Sequence, residues 1–148
     1  MKLPDYITVD EVRRVCRELG IRDWTTLKES SVLTEEAAKI LAEVNVTSMP
    51  VEIASFKTGL EVELEHGIVF PQFNVTNNHP VITGRIVMAH FMESLDYYHR
   101  LDVAEIEGDM AKAAAAGDSD KLLAKYRKLV QAKLELARVE QRLIAPHD

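Results

Sequence analysis

The sequence predicts an all-α fold, a small helical bundle with a C-terminal antiparallel helical hairpin. Three observations carry that expectation. Apolar residues recur at helical spacing along most of the chain. Capping residues and glycines bracket those stretches. One apolar stripe then runs through the C-terminal segment from Leu122 to Leu143. At 148 residues, 47% hydrophobic and 28% charged, the chain is long enough for a buried core and is read as a single domain, 1–148. It is organised as N-terminal helices over 1–49, a central region over 50–101 and the hairpin over 102–148.

The first helix lies in "TVDEVRRVCRELG". Thr8 and Glu11 have capping-box spacing, Val12, Val15, Cys16 and Leu19 share a face, and Gly20 is a good stop. "IRDWTTLKESSVL" is a connector whose Trp24 and Leu27 pack down on the body. The second helix is "TEEAAKILAEVN", with Thr34 as N-cap and Ala37, Ile40, Leu41 and Val44 as its apolar side. In the third segment, Leu60, Val62 and Leu64 alternate with glutamates as in a strand. The upstream period Ile53, Phe56, Leu60, Leu64, with Ser48 as cap, Pro50 in the first turn and Gly67 as stop, favours a helix over 50–66. Residues 68–82 read as a long loop of the kind that often carries function. Pro80 or Thr83 opens a helix expected to continue past Gly108 to Ala116, where "GDSD" breaks it. Ser119 caps a last helix in which Leu122, Tyr126, Leu129, Leu136, Val139 and Leu143 form a stripe suited to core or a dimer seam, and Pro146 ends it.

Composition narrows the function classes. The net charge of −6 argues against nucleic acid as a partner. The charge is uneven, with a surplus of basic residues after position 118, which suits self-complementary packing. No apolar run approaches the ~20 residues of a membrane span, and the N-terminus lacks a signal-like apolar stretch, so no membrane partner and a cytoplasmic location are expected. The single cysteine, Cys16, excludes an internal disulfide and falls on an apolar helix face. No activated serine or cysteine and no phosphate-binding glycine loop is present.

The chemistry-bearing residues cluster between positions 63 and 99. Glu63-x-x-His66 closes the third helix and His90-x-x-Glu93 lies inside the fourth. Residues three apart share a helix face. If the helices run antiparallel, His66 lies level with His90 and Glu63 with Glu93, giving two imidazoles and two carboxylates around one point. Such a donor set suits a divalent metal, Fe, Mn or Zn, and the lack of thiolate argues against a structural zinc site. Asp96, Tyr97 and His99 are further ligands or outer-shell partners, whereas Glu61 and Glu65 read as solvated. The plainer reading stands beside it: His66 next to a helix C-terminus favoured by the dipole, and His90 with Glu93 as an ordinary same-face pair. A different class of function is a non-enzymatic assembly or adaptor protein, a homo-oligomer associating through the C-terminal amphipathic helix. Neither the catalytic residues nor a small-molecule substrate follow from the sequence.

The stretches "FKTGLEVELEHG" and "NVTNNHPVITGRIVMAHFMESLDYYHRL" resemble the signature of a family of uncharacterised bacterial and phage proteins, a domain of unknown function. The resemblance spans residues 56–101. It implies no activity, but places Glu63, His66, His90, Glu93, Asp96 and Tyr97 inside the shared pattern. The chain departs from that pattern at Asn78 and His79, where acidic residues are expected, and at Leu95, where proline is common.

Overall fold

A computed structural model of the chain describes residues 6–145. Among them are six α-helices, two short 3₁₀ turns and no strand, so the fold is all-α. The chain divides into two compact units, Met1–Glu93 and Ser94–Asp148. The boundary falls inside the 50–101 region that the sequence reading kept whole.

The first unit contains α1 (Val9–Leu19), α2 (Thr34–Val44), α3 (Ile53–Val69) and α4 (Pro80–Glu93). Helix α1 matches its sequence signals. Thr8 Oγ1 accepts from the Glu11 amide at 3.2 Å, and Gly20 closes the helix in the left-handed conformation (φ 60°) that glycine adopts without a Cβ penalty. Cys16 is buried on the inner face and Trp24 is fully buried in the 3₁₀ turn that follows. Helix α2 begins at Thr34, so Leu33 rather than Thr34 holds the N-cap position. Its first turn is closed by Glu36, whose carboxylate accepts from the Leu33 amide at 3.1 Å.

Helix α3 starts later and ends later than the sequence suggests. Asn45 Oδ1 accepts from the Met49 amide and Asn45 Nδ2 donates to the Met49 carbonyl, both at 2.9 Å. This closes 45–49 into a turn, with Ser48 at φ 54°. Ser48 and Pro50 therefore stand outside the helix, which begins at Ile53. At the other end α3 passes through Gly67 to Val69. The glycine's lack of a Cβ serves a close approach instead, since a methyl there would collide with the side chains of Asn78 and Asn74. The expected long loop shrinks to residues 70–79 with a 3₁₀ turn at Pro71–Phe73.

Helix α4 packs on α2 and α3 through Gly84, where an added Cβ would stand 2.7 Å from Ile40 Cγ2 and 3.3 Å from Phe56 and Val44. The core of this unit joins Val12, Val15, Trp24, Ile40, Phe56, Leu60, Leu64, Val87 and Phe91. Burying each large side chain of this kind contributes about 1.5–3 kcal/mol.

The long fourth helix expected to reach Ala116 is interrupted. Asp96 accepts hydrogen bonds from Ser94 Oγ and from Arg100 Nε and Nη2, and the Tyr97 amide turns back to the Ser94 carbonyl. Short polar side chains that satisfy nearby donors in this way compete with continuous helix. A new helix, α5 (Tyr97–Ala115), follows.

The second unit is a hairpin of α5 and α6 (Ser119–Ile144). Gly117 at φ 69° makes the turn, and Asp118, one residue before the expected Ser119, caps α6 by accepting from the Lys121 amide at 2.9 Å. Ion pairs Arg100–Glu140 (2.6 Å), Glu107–Lys133 (2.9 Å) and Asp109–Lys125 (2.5 Å) cross between the arms and fix them antiparallel. Leu129 and Ala132 are buried with Ile106, flanked by Val103 and Met110. That part of the predicted stripe is therefore core within one chain. The expected stop at Pro146 lies outside the described residues.

Candidate functional site

Glu63 is the centre of the predicted site. It sits mid-way along α3, next to Leu64, which the core anchors, and its side chain is 16% exposed. One carboxylate oxygen stands 3.9 Å from Nδ1 of His66, one turn on along α3. The other stands 4.0 Å from Nε2 of His90 on α4. Two imidazoles thus converge on a single carboxylate. His66 is largely exposed and His90 about one-quarter exposed, so the cluster lies at the mouth of the α3–α4 contact.

The sequence expectation levels Glu63 with Glu93 and His66 with His90 around one point. Across the helices, His90 stands against Glu63. Glu93, the last residue of α4, is exposed. Spacing of three fixes which residues share a face of each helix. It leaves open how far one helix slides along the other, which the 70–79 connection sets. Among the described residues no group of three or more His, Cys, Asp or Glu side chains that could hold a metal ion is found.

Asp96, Tyr97 and His99 belong to the second unit. Asp96 is 2% exposed and engaged by Arg100 and Ser94. The Arg100 guanidinium holds its carboxyl below the usual carboxylate range. Tyr97 packs edge-on to Tyr98, with ring centroids 5.2 Å apart.

Three features of the first unit escaped the sequence reading. Glu61 is not a solvated glutamate: its Oε1 accepts from the Val32 amide at 2.9 Å and from Lys57 Nζ at 2.6 Å, tying α3 to the segment before α2. Glu36, 2% exposed, accepts from Arg22 Nε and Nη2 (2.9 and 2.7 Å) and from the amides of Arg22 and Leu33. Burial pushes its carboxyl up, but those hydrogen bonds outweigh the burial and hold it below its ordinary value. The third feature is the asparagine cluster before α4. Asn74 Nδ2 donates to Asn78 Oδ1 (2.8 Å) and to the Gly67 carbonyl (3.2 Å), and Asn77 Nδ2 donates to the Ile7 carbonyl (2.6 Å). Asn77 and Asn78 both have positive φ, a conformation asparagine tolerates better than most residues. His79 then accepts the Ile82 amide on Nδ1 at 3.3 Å, and burial pulls the imidazole pKa down. The readable signal was the run "NVTNNHP", dense in short polar side chains just ahead of a helix-opening proline.

No described helix is long and apolar enough to cross a membrane. The chain belongs to a family of proteins of unknown function (DUF5661), whose model matches residues 12–107. That span takes in most of α1, all of α2 to α4 and the first half of α5. No curated protein and no solved structure matches the chain.

Proposed function

We propose that the first unit binds a divalent transition metal, Fe, Mn or Zn, through Glu63, His66 and His90. The observation that supports this is the single half-buried carboxylate facing imidazole nitrogens at 3.9 and 4.0 Å. Nitrogen and oxygen ligands sit about 2.0–2.2 Å from such ions, so neighbouring ligands stand roughly 3 Å apart. Binding therefore requires each imidazole and the Glu63 carboxylate to approach one another by ~1 Å. Rotation of the exposed His66 ring and a small turn of Glu63 supply that movement. Two imidazoles and one carboxylate form a donor set that these metals accept, and three protein ligands leave positions for water or a small substrate. Glu93, one turn beyond His90, is the residue able to add a fourth ligand by a rotamer change.

The test is the metal content of protein purified without chelator and supplied with Fe, Mn or Zn. Close to one ion per chain is expected, with loss in Glu63→Gln and His90→Ala at unchanged helix content by circular dichroism. A saturating metal also raises the melting temperature, because an ion at ~100 times its Kd adds about 2.7 kcal/mol. Metal content far below one per chain, with an unchanged melting temperature, overturns the reading and leaves Glu63, His66 and His90 as an ordinary ion-pair cluster.

A further inference from the structure

Helix α6 carries a second apolar stripe that the hairpin does not use. Leu123, Tyr126, Val130 and Leu134 follow one another at steps of three and four, and they are 50%, 54%, 54% and 46% exposed. They lie roughly 120° around the helix from Leu129 and Ala132, which face α5. Helix α5 has a matching second face made of small residues, Ala104, Gly108, Ala111 and Ala115, all exposed. It is offset from Ile106 and Met110 by a similar angle in the same sense. Because the arms are antiparallel, equal offsets open on the same side of the hairpin. One side thus shows a row of large side chains beside a row of small ones.

We infer that this side is the seat of a second copy of the chain, and that two hairpins close into an antiparallel four-helix bundle. Three observations point to a second copy rather than another partner. The first is register. The ion pairs Arg100–Glu140, Glu107–Lys133 and Asp109–Lys125 set the levels of the two arms. At those levels Ala104, Gly108, Ala111 and Ala115 stand opposite Leu134, Val130, Tyr126 and Leu123 in turn. A twofold axis parallel to the helices preserves every level. It therefore lays each large residue of α6 over a small residue of the partner's α5, which lets the helices approach closely.

The second observation is charge. Tyr97–Ala115 holds four acidic and two Lys/Arg residues, whereas Ser119–Ile144 holds seven Lys/Arg and three acidic. The same axis places each basic α6 against an acidic α5, and the two basic helices fall on the diagonal. The third is the thin core of the single hairpin, where Ile106, Leu129 and Ala132 form one cluster flanked by Val103 and Met110, with Tyr98 and Ala113 also buried. An isolated pair of helices buries little, and the bundle encloses both stripes at once.

The experiment measures the mass of the full-length protein in solution by light scattering, for wild type, Val130→Glu and Gly108→Leu. Wild type is expected at twice the 16.7 kDa of one chain. Both variants are expected at the mass of a single chain. A Cβ added at Gly108 meets nothing within 4 Å in the hairpin, and leucine is the better helix former. Circular dichroism of Gly108→Leu should therefore show full helicity, so its dissociation reports a blocked face and not unfolding. A wild-type mass of one chain overturns the inference and leaves the face to a different partner. So does a double mass that survives both substitutions. A dimer lost in Val130→Glu but kept in Gly108→Leu pairs α6 with α6 and also overturns it.

Discussion

The two units are built from the same element and hold it together by different means. In the first, four helices surround a continuous core in which Trp24, Ile40, Phe56, Leu60 and Leu64 are fully buried. Its buried Glu36 is engaged by Arg22 and two amides, and its buried Asn78 by Asn74. In the second, two helices share a narrow seam, and ion pairs with one or both partners substantially exposed set their register. Exposed pairs of that kind contribute ~0–1 kcal/mol each. A closed core specifies itself, whereas a two-helix seam leaves half of each amphipathic surface unused, which is why an apolar face remains on α6.

The sharpest way to break this comparison is to remove a core side chain from the first unit. Phe56→Ala is expected to cost about 4 kcal/mol. Amide hydrogen exchange should show the loss over α1 to α4, with protection in 97–144 retained. Equal loss in the hairpin would show that the units fold as one. Slightly smaller is the effect of Glu36→Gln, which leaves the Arg22 guanidinium without its carboxylate. About 3 kcal/mol is expected in urea unfolding, at the low end for a broken buried pair because Arg22 is 38% exposed. A loss under ~1 kcal/mol would rank this pair with the surface bridges of the hairpin.

Two glycines test the contrast with opposite signs. Gly84→Ala forces a methyl against Ile40 and should destabilise the first unit by about 1–2 kcal/mol. In the single-chain hairpin released by Val130→Glu, Gly108→Ala meets nothing within 4 Å and should stabilise α5 by up to ~1 kcal/mol. Thermal melts of the two variants should move in opposite directions.

The smallest effect expected is with pH. His79 has a folded pKa below its ordinary value, so the fold favours the neutral ring. Its contribution is full above the unfolded pKa of about 6.5 and is lost as pH falls below that. Glu36 and Asp96 are depressed carboxyls, so their contributions persist until pH falls below the ordinary carboxylate range. Between roughly pH 6.5 and 5 the first unit should therefore weaken while the hairpin holds. A urea midpoint for α1 to α4 that does not move across this range, or that moves equally in His79→Gln, would contradict the assignment.

Much of the fold was legible in the sequence, residue by residue. Thr8 and Gly20 bracket α1 as their chemistry demands. The run Ile53, Phe56, Leu60, Leu64 outweighed the strand-like alternation around Glu63 because three of those four side chains are buried together. The break at Ser94–Asp96 was missed. The apolar period continues across it, and only the convergence of Ser94 and Arg100 on Asp96 interrupts the helix. The candidate site was half legible. Glu63 stands near both His66 and His90, and Glu93 is exposed at the end of α4.

The sequence by itself determined what depends on neighbours along one helix. It set the all-α class, the amphipathic faces, the caps of α1, and the pairing of Glu63 with His66, since these follow from a fixed 3.6-residue period. Only the tertiary structure decided how helices slide and meet. It set His90 against Glu63, drew Glu61 and Glu36 into cross-segment hydrogen bonds, made Gly67 a space for asparagines rather than a helix stop, and turned the Leu129 stripe inward onto α5. Those outcomes depend on connector lengths and side-chain volumes summed over the whole packed unit, which no local period encodes.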